Sequence, residues 1–243
     1  MTPTLTLTLS FIGGITPAVI WLFFWLREDE KHPEPGRLIF LTFFFGILMV
    51  PLAFILEYVV DFLFIETSIE SEVALLSLTS FIVIILWASI EEILKYFAAK
   101  KGGLDKKANN EPIDPIIYLI TAALGFSAGE NVLFLINPLI DGSLANAFIV
   151  TNMRFIGATL LHVGASAIIG LCLSFSYFNN KRTRKEYLLT GIILSIMLHT
   201  IFNFFIISTN VSVLLAFSIV WILIVSIILL FEKVKKIHLN KIK

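Results

Sequence analysis

The chain has 243 residues, of which 58% are hydrophobic and only 15% are charged, and its mean hydropathy is +0.93. Because about a quarter of the residues of a water-soluble domain are charged, this composition excludes a soluble globular protein. The formal net charge is zero, and we predict no nucleic-acid partner. The single cysteine, Cys172, permits no intrachain disulfide.

Seven apolar segments follow one another along the chain, each close to the roughly 20 residues that a helix needs to cross a bilayer. Isolated strands would leave backbone groups unpaired in lipid, so these segments are predicted to be helices. The sequence therefore predicts an all-α, polytopic transmembrane helix bundle that forms one domain over residues 1–243. The predicted spans are residues 5–26, 38–60, 73–98, 115–137, 154–177, 187–207 and 211–231.

The basic residues lie on alternate connections between these spans. The loops after spans one, three and five and the C-terminal tail carry Lys and Arg, whereas residues 61–72, 137–152 and 208–212 carry none. The positive-inside rule then places the N-terminus outside the cell membrane and the C-terminus in the cytoplasm. Arg154, at the predicted outer end of span five, is the exception. It is either an interfacial arginine or a buried partner for a carboxylate.

Two adjacent glutamates, Glu91 and Glu92, lie near the cytoplasmic end of span three. Lys95 is four residues from the first and three from the second, so either can pair with it on one helix face. One interpretation is a helix-end ion pair at the membrane interface. The other is a carboxylate that activates water, with its neighbours adjusting its proton affinity.

Span four contains a second polar pair, Glu130 and Asn131. It follows Gly125 and Gly129, whose spacing allows a neighbouring helix to approach closely. The pair is either a polar clamp between helices or part of a functional site.

Three further polar side chains lie in spans five and six. His162 alone would be consistent with a hydrogen-bonded packing residue. His199 and Asn203 are one turn apart on the same helix face, where they form either a polar seam or a pair of hydrogen-bond donors to an oxyanion. Because four spans contribute such groups inside lipid, the sequence favours a functional site.

The depth of these residues gives a geometric condition. At 1.5 Å per residue, His162 and His199 lie roughly 18–22 Å from the cytoplasmic ends of their spans, and Glu91 about 10 Å. The three come level only if span three continues as a helix through Lys100.

Known nucleophile and metal motifs give little support to other chemistries. The sequence has no His-Glu-x-x-His helix and no Gly-x-Ser-x-Gly turn. Glu91, His162 and His199 could still bind zinc from separate helices. We expect glutamate-activated water without an obligatory metal, with zinc as the alternative.

Several of these residues form short motifs in chain order. They are Asp29-Glu30-Lys31-His32-Pro33-Glu34-Pro35, Glu91-Glu92, Asp114 with Tyr118, Gly125-Phe126 with Glu130-Asn131, Arg154 with His162, and His199 with Asn203. In this order the chain resembles the PrsW family of intramembrane proteases, within the superfamily of CAAX prenyl endopeptidases and bacteriocin-immunity-type membrane proteases. The resemblance implies hydrolysis of a peptide bond in a membrane-associated protein. An anti-sigma-factor-like protein is one substrate that it suggests.

Our interpretation of the sequence is a membrane peptidase. Glu91, with Glu92, activates a water molecule, while His162 and Glu130 with Asn131 hold that water or relay protons. His199 and Asn203 stabilise the tetrahedral oxyanion. A small proton-coupled transporter and a catalytically inactive membrane binding protein are the alternatives.

Overall fold

The structure is a computed structural model that describes residues 2–29, 33–66, 78–207 and 213–242. Every regular element in these ranges is helical, which confirms the predicted all-α bundle. The helices are α1 (Pro3–Leu26), α2 (Gly36–Asp61), α3 (Leu78–Ala99), α4 (Asp114–Ile140), α5 (Leu144–Met153), α6 (Thr159–Phe175), α7 (Lys181–Ile207) and α8 (Val213–Ile242).

Six helices are long and apolar enough to cross a membrane: α1, α2, α4, the continuous α5–α6 helix, α7 and α8. The third predicted span corresponds to α3, whose 22 residues include Glu91, Glu92 and Lys95. The chain is therefore a multi-pass integral membrane protein. The orientation of its termini and the single domain over residues 1–243 stay predictions. Parts of the predicted loops, residues 30–32, 67–72 and 208–212, lie outside the described residues.

The start of the fifth predicted span is wrong. The helix begins at Leu144 rather than at residue 154, and α5 joins α6 through a π-helical turn, Arg154–Ala158. The connection from α4 is correspondingly short, and Gly142 turns it with a positive φ of 74°. The predicted span began at Arg154 because a charge in lipid is costly. An ion pair with Glu130 within the bundle offsets that cost.

α4 is the central helix of the bundle. Its residues from Asp114 to Ala128 are all buried, and it packs most extensively against α1, α2 and α6. The approach to α2 is close on both sides: a Cβ atom at Gly125 would meet the backbone carbonyl of Phe43, and one at Gly46 would meet that of Ala122. The predicted close approach at Gly125 is confirmed. This packing holds α4, and with it Glu130 and Asn131, in position.

Candidate active site

Three helices bring Glu91, His162 and His199 together inside the bundle. Glu91 Oε2 on α3 lies 3.6 Å from His162 Nδ1 on α6 and 3.8 Å from His199 Nε2 on α7. All three side chains are buried, and one ligand atom of each lies within 4.8 Å of the others. Glu91 Oε2 has no hydrogen-bond partner among the described residues. The two imidazoles and the carboxylate thus surround a common point.

The continuation of α3 explains how Glu91 reaches this depth. The helix runs to Ala99 and continues as a π-helical turn over Lys100–Leu104. The depth condition set by the sequence, that span three stays helical through Lys100, is met.

Each histidine is oriented by a second carboxylate through its other ring nitrogen. His162 Nε2 lies 2.8 Å from Glu130 Oε2, and His199 Nδ1 lies 2.7 Å from Glu92 Oε1. An ionised carboxylate accepts hydrogen bonds only, so these two ring nitrogens carry the N–H. In neutral imidazoles the lone pairs are then on His162 Nδ1 and His199 Nε2, the two nitrogens that face Glu91.

A lysine neutralises Glu92 within the same cluster. Lys95 Nζ donates to Glu92 Oε1 at 2.5 Å and lies 2.9 Å from His162 Nδ1, with no part of its side chain exposed. The hydroxyl of Ser195 donates to Glu92 Oε2 at 2.9 Å, and that of Ser166 lies 3.4 Å from the same oxygen. Both carboxylate oxygens of Glu92 are therefore engaged.

An arginine neutralises Glu130 as Lys95 neutralises Glu92. Arg154 Nη2 lies 3.0 Å from Glu130 Oε2, and Arg154 Nε donates to the Asn131 side-chain oxygen. Of the two interpretations left open for Arg154, the buried partner of a carboxylate is the one observed. Arg154 also begins the π-helical turn between α5 and α6, a kind of bulge that is frequent at functional sites.

The structure does not bring Asn131 to this point. Asn131 bonds to Arg154, to Thr159 Oγ1 at 3.3 Å and to the carbonyl of Gly14 at 3.5 Å, so it supports Arg154 rather than the histidines. Asn203 is partly buried on α7, one turn after His199. We call Glu91, Glu92, Lys95, Glu130, His162 and His199 the polar centre.

Sequence reasoning missed three residues that interact with the polar centre: Ser166, Ser195 and Glu57. Ser195 precedes His199 by one turn on the same helix face, which was the available signal, and it bonds to Glu92. Glu57 on α2 interacts electrostatically with Glu130 and Lys95. The signal for Glu57 was its acidic side chain near the end of an apolar span, and we assigned it no role.

The polar centre has the composition of a catalytic metal site. Such sites commonly use three protein ligands, and their histidines are usually held through the second ring nitrogen by a carboxylate. Tetrahedral ligands roughly 2.0–2.2 Å from Zn²⁺ lie about 3.3–3.6 Å apart. The observed 3.6 and 3.8 Å separations from Glu91 Oε2 are close to this range. A metal would also require Lys95 to leave His162 Nδ1 while it keeps its bond to Glu92.

Comparisons with known proteins agree with this chemistry. A family model described as PrsW family intramembrane metalloprotease matches residues 34–230. Protease PrsW of Geobacillus kaustophilus (strain HTA426) is 28% identical over 195 residues, which cover 79% of this chain and 76% of the relative. Protease PrsW of Bacillus subtilis (strain 168) is 26% identical over 198 residues, covering 79% and 80%. That of Clostridioides difficile (strain 630) is 28% identical over 196 residues, covering 80% and 77%.

No solved structure matches the chain significantly. The transporter and inactive-protein alternatives are not favoured by the family comparison.

Proposed function

Because the chain belongs to the PrsW family of intramembrane metalloproteases and is a membrane peptidase, we propose that its polar centre hydrolyses a peptide bond of a membrane-associated protein. The observation that carries this proposal is Glu91 Oε2. It is a buried carboxylate oxygen with no hydrogen-bond partner among the described residues, and it faces a ring nitrogen of His162 and one of His199. A buried polar atom without a partner costs free energy, and such atoms are typical of sites that bind or react.

The substrate class follows from the position of the polar centre. The centre lies on helices inside the bundle, so the scissile bond must reach it within or near the bilayer. We propose a membrane-associated protein or peptide as substrate, with an anti-sigma-factor-like protein as one example to test.

We propose that Glu91, His162 and His199 hold a divalent metal ion. Their donor set, two imidazole nitrogens and one carboxylate oxygen, suits Zn²⁺. When bound, the ion would activate water and polarise the carbonyl of the scissile peptide bond. This proposal reverses our expectation from the sequence that no metal is obligatory, because the family is one of metalloproteases.

The other side chains orient and neutralise the reactive groups. Glu130 and Glu92 accept the N–H of the two histidines and so fix which ring nitrogens face Glu91. Arg154 and Lys95 balance the charge of these two carboxylates. Both orienting carboxylates are engaged, whereas Glu91 Oε2 has no hydrogen-bond partner among the described residues and lies 3.8 Å from Lys95 Nζ; we propose that this oxygen holds the metal or takes up a proton from water.

We assign the oxyanion donor role to the Asn203 side-chain amide. It lies one turn from His199 on the same helix, so it can face the carbonyl that is attacked. An amide N–H at that position would stabilise the negative charge of the tetrahedral intermediate.

Cleavage by purified protein tests the proposed function. The wild-type protein in detergent or liposomes should cut membrane-spanning peptides, and Glu91→Gln should lower the rate by roughly 100- to 10,000-fold. The matched control is Asp141→Asn, the same chemical change at an exposed residue that ends α4. Normal cleavage by a correctly folded Glu91→Gln protein would contradict the role of the polar centre.

Metal analysis shows whether Glu91 acts as a metal ligand or as the proton acceptor for water. We expect about one zinc per active chain, loss of activity on chelation, and recovery when zinc is returned. Glu91→Gln should also lose bound zinc. Full activity of a chelated, metal-free protein would remove the metal from the proposal and leave Glu91 as the proton acceptor.

A further inference from the structure

A second group of carboxylates lies at the end of the bundle where α1 ends and where α2 and α4 begin. Asp29 follows α1, Glu34 precedes α2, and Asp114 begins α4. One carboxylate oxygen from each lies within 4.8 Å of the other two. We call these three residues the acidic cluster. The 16 residues of α4 between Asp114 and Glu130 correspond to about 24 Å of helix, so the cluster is separate from the polar centre.

The carboxylates of the acidic cluster are shielded from water. Asp29 is 6% exposed and Asp114 is 1% exposed, and Glu34 is half-buried. Asp29 Oδ2 is buried and has no hydrogen-bond partner among the described residues. Buried carboxylates of like charge are stable only when protons, basic groups or a metal ion offset their charge.

The other two members are hydrogen-bonded to each other, which requires a proton between them, and their remaining hydrogen bonds come from uncharged donors. Asp114 Oδ2 accepts from the backbone amides of Asn110 and Glu111, each at 2.7 Å. The buried Tyr118 hydroxyl donates to Glu34. These donors fix the positions of the carboxylates, but none of them is a cation.

One basic side chain comes near in the described part of the chain. Lys235 acts electrostatically on Asp29, but its ammonium group is already bonded to Glu28 and Glu232, both at 2.8 Å. Burial, together with repulsion from the Asp114 carboxylate, raises the pKa of Glu34 to about 8. Glu34 therefore holds a proton at neutral pH, and a cation that binds the cluster would displace it.

We propose that Asp29, Glu34 and Asp114 bind a hard divalent cation of the Ca²⁺ or Mg²⁺ class. An all-oxygen, all-carboxylate set suits these ions rather than zinc. Bonds of roughly 2.3–2.6 Å from one Ca²⁺ ion can reach three oxygens within 4.8 Å of one another. The ion would join the end of α1 to the starts of α2 and α4. By the predicted topology, this is the cytoplasmic end of the bundle.

The test is a Mn²⁺ titration followed by electron paramagnetic resonance, on full-length protein that carries Glu91→Gln to weaken metal binding at the polar centre. We expect one saturable Mn²⁺ site from which Ca²⁺ or Mg²⁺ displaces the probe. Adding Asp29→Asn should weaken Mn²⁺ binding about tenfold or more. Adding Asp141→Asn, at the far end of α4, should leave it unchanged.

Thermal unfolding shows whether each variant is folded, so that weaker Mn²⁺ binding is not mistaken for a folding defect. Divalent cations should raise the unfolding temperature of the Glu91→Gln protein and have little effect once Asp29→Asn is added. Equal Mn²⁺ affinity with and without Asp29→Asn, or no saturable site, would overturn the proposal. An unfolding temperature that rises on acidification but not with divalent cations would show that protons neutralise the cluster instead. None of these readouts requires peptide cleavage, so the proposed protease function is tested separately.

Discussion

The polar centre and the acidic cluster differ in whether their buried carboxylates have basic partners. In the polar centre, Glu92 is bonded to Lys95 and Glu130 to Arg154, and each also accepts from a histidine. In the acidic cluster three carboxylates converge, and Lys235, the one nearby lysine among the described residues, is already shared between two other glutamates.

The difference follows from what each region can obtain from its surroundings. Deep in the bundle an uncompensated charge is costly, and the chain supplies Glu92 and Glu130 with basic partners of their own. At the end of the bundle an ion from solution can complete a site. Glu91 Oε2, which has no hydrogen-bond partner among the described residues and lies 3.8 Å from Lys95 Nζ, is the atom at which we propose the chemistry.

The largest stability effect should come from breaking a matched pair of the polar centre. Glu92→Gln removes the closer of the two carboxylates that face the buried Lys95 ammonium group and leaves only Glu91, 3.8 Å away, which should destabilise the protein by up to roughly 3–5 kcal/mol. Lys95→Met combined with Glu92→Gln should recover much of that loss, because no charge is then stranded. Thermal unfolding in detergent measures both.

The matched control is the exposed Arg182–Glu186 pair on α7, whose side chains are 91% and 62% exposed. Glu186→Gln should leave the unfolding temperature unchanged. If Glu92→Gln lowered the unfolding temperature as little as Glu186→Gln, the charges of the polar centre would be solvated. The polar centre would then not differ from the acidic cluster in its need for paired charges.

A smaller effect, on turnover rather than on stability, is expected at Asn203. Asn203→Ala should lower kcat by roughly 100- to 1000-fold with little change in KM, since an oxyanion donor acts only in the transition state. Asn203→Asp should fail as well, because a carboxylate repels the developing negative charge. Neither change should alter the cation response of the acidic cluster. Normal kcat in Asn203→Asp would remove Asn203 from the oxyanion site, and substrate-driven proton flux without cleavage would favour a transporter.

Much of the fold could be predicted from the sequence because membrane spans are specified by composition over long windows. The all-α bundle and the grouping of His162 with His199 and Glu91 follow from apolar runs and from the rarity of charges within them. A close helix approach was predicted from the spacing of Gly125 and Gly129, and the structure identifies α2 as the helix that approaches at Gly125.

The errors have physical causes as well. Span five was begun at Arg154, and the choice between an interfacial arginine and a buried partner of a carboxylate stayed open, because a pattern along one helix cannot reveal a partner on another. Its partner, Glu130, lies on α4. The acidic cluster was not predicted as a cluster: Asp29 and Glu34 belong to one loop motif, whereas Asp114 is distant in sequence and helix packing brings its carboxylate to the other two. Serine is common in apolar helices, so Ser195 gave too weak a signal.

The smallest predicted effect concerns Lys235, the counterpart of Lys95 beside the acidic cluster. Its side chain is 31% exposed and already bonded to Glu28 and Glu232, so Lys235→Met should lower stability by less than about 1 kcal/mol. The same change removes a positive charge near Asp29, and a divalent cation should then bind a few-fold more tightly, an effect of about 1 kcal/mol or less. Mn²⁺ titration beside thermal unfolding measures both quantities, with Lys233→Met as the control for the loss of a charge from α8. A large loss of stability in Lys235→Met, with Mn²⁺ binding no tighter, would mean that this lysine neutralises the acidic cluster as Lys95 neutralises Glu92.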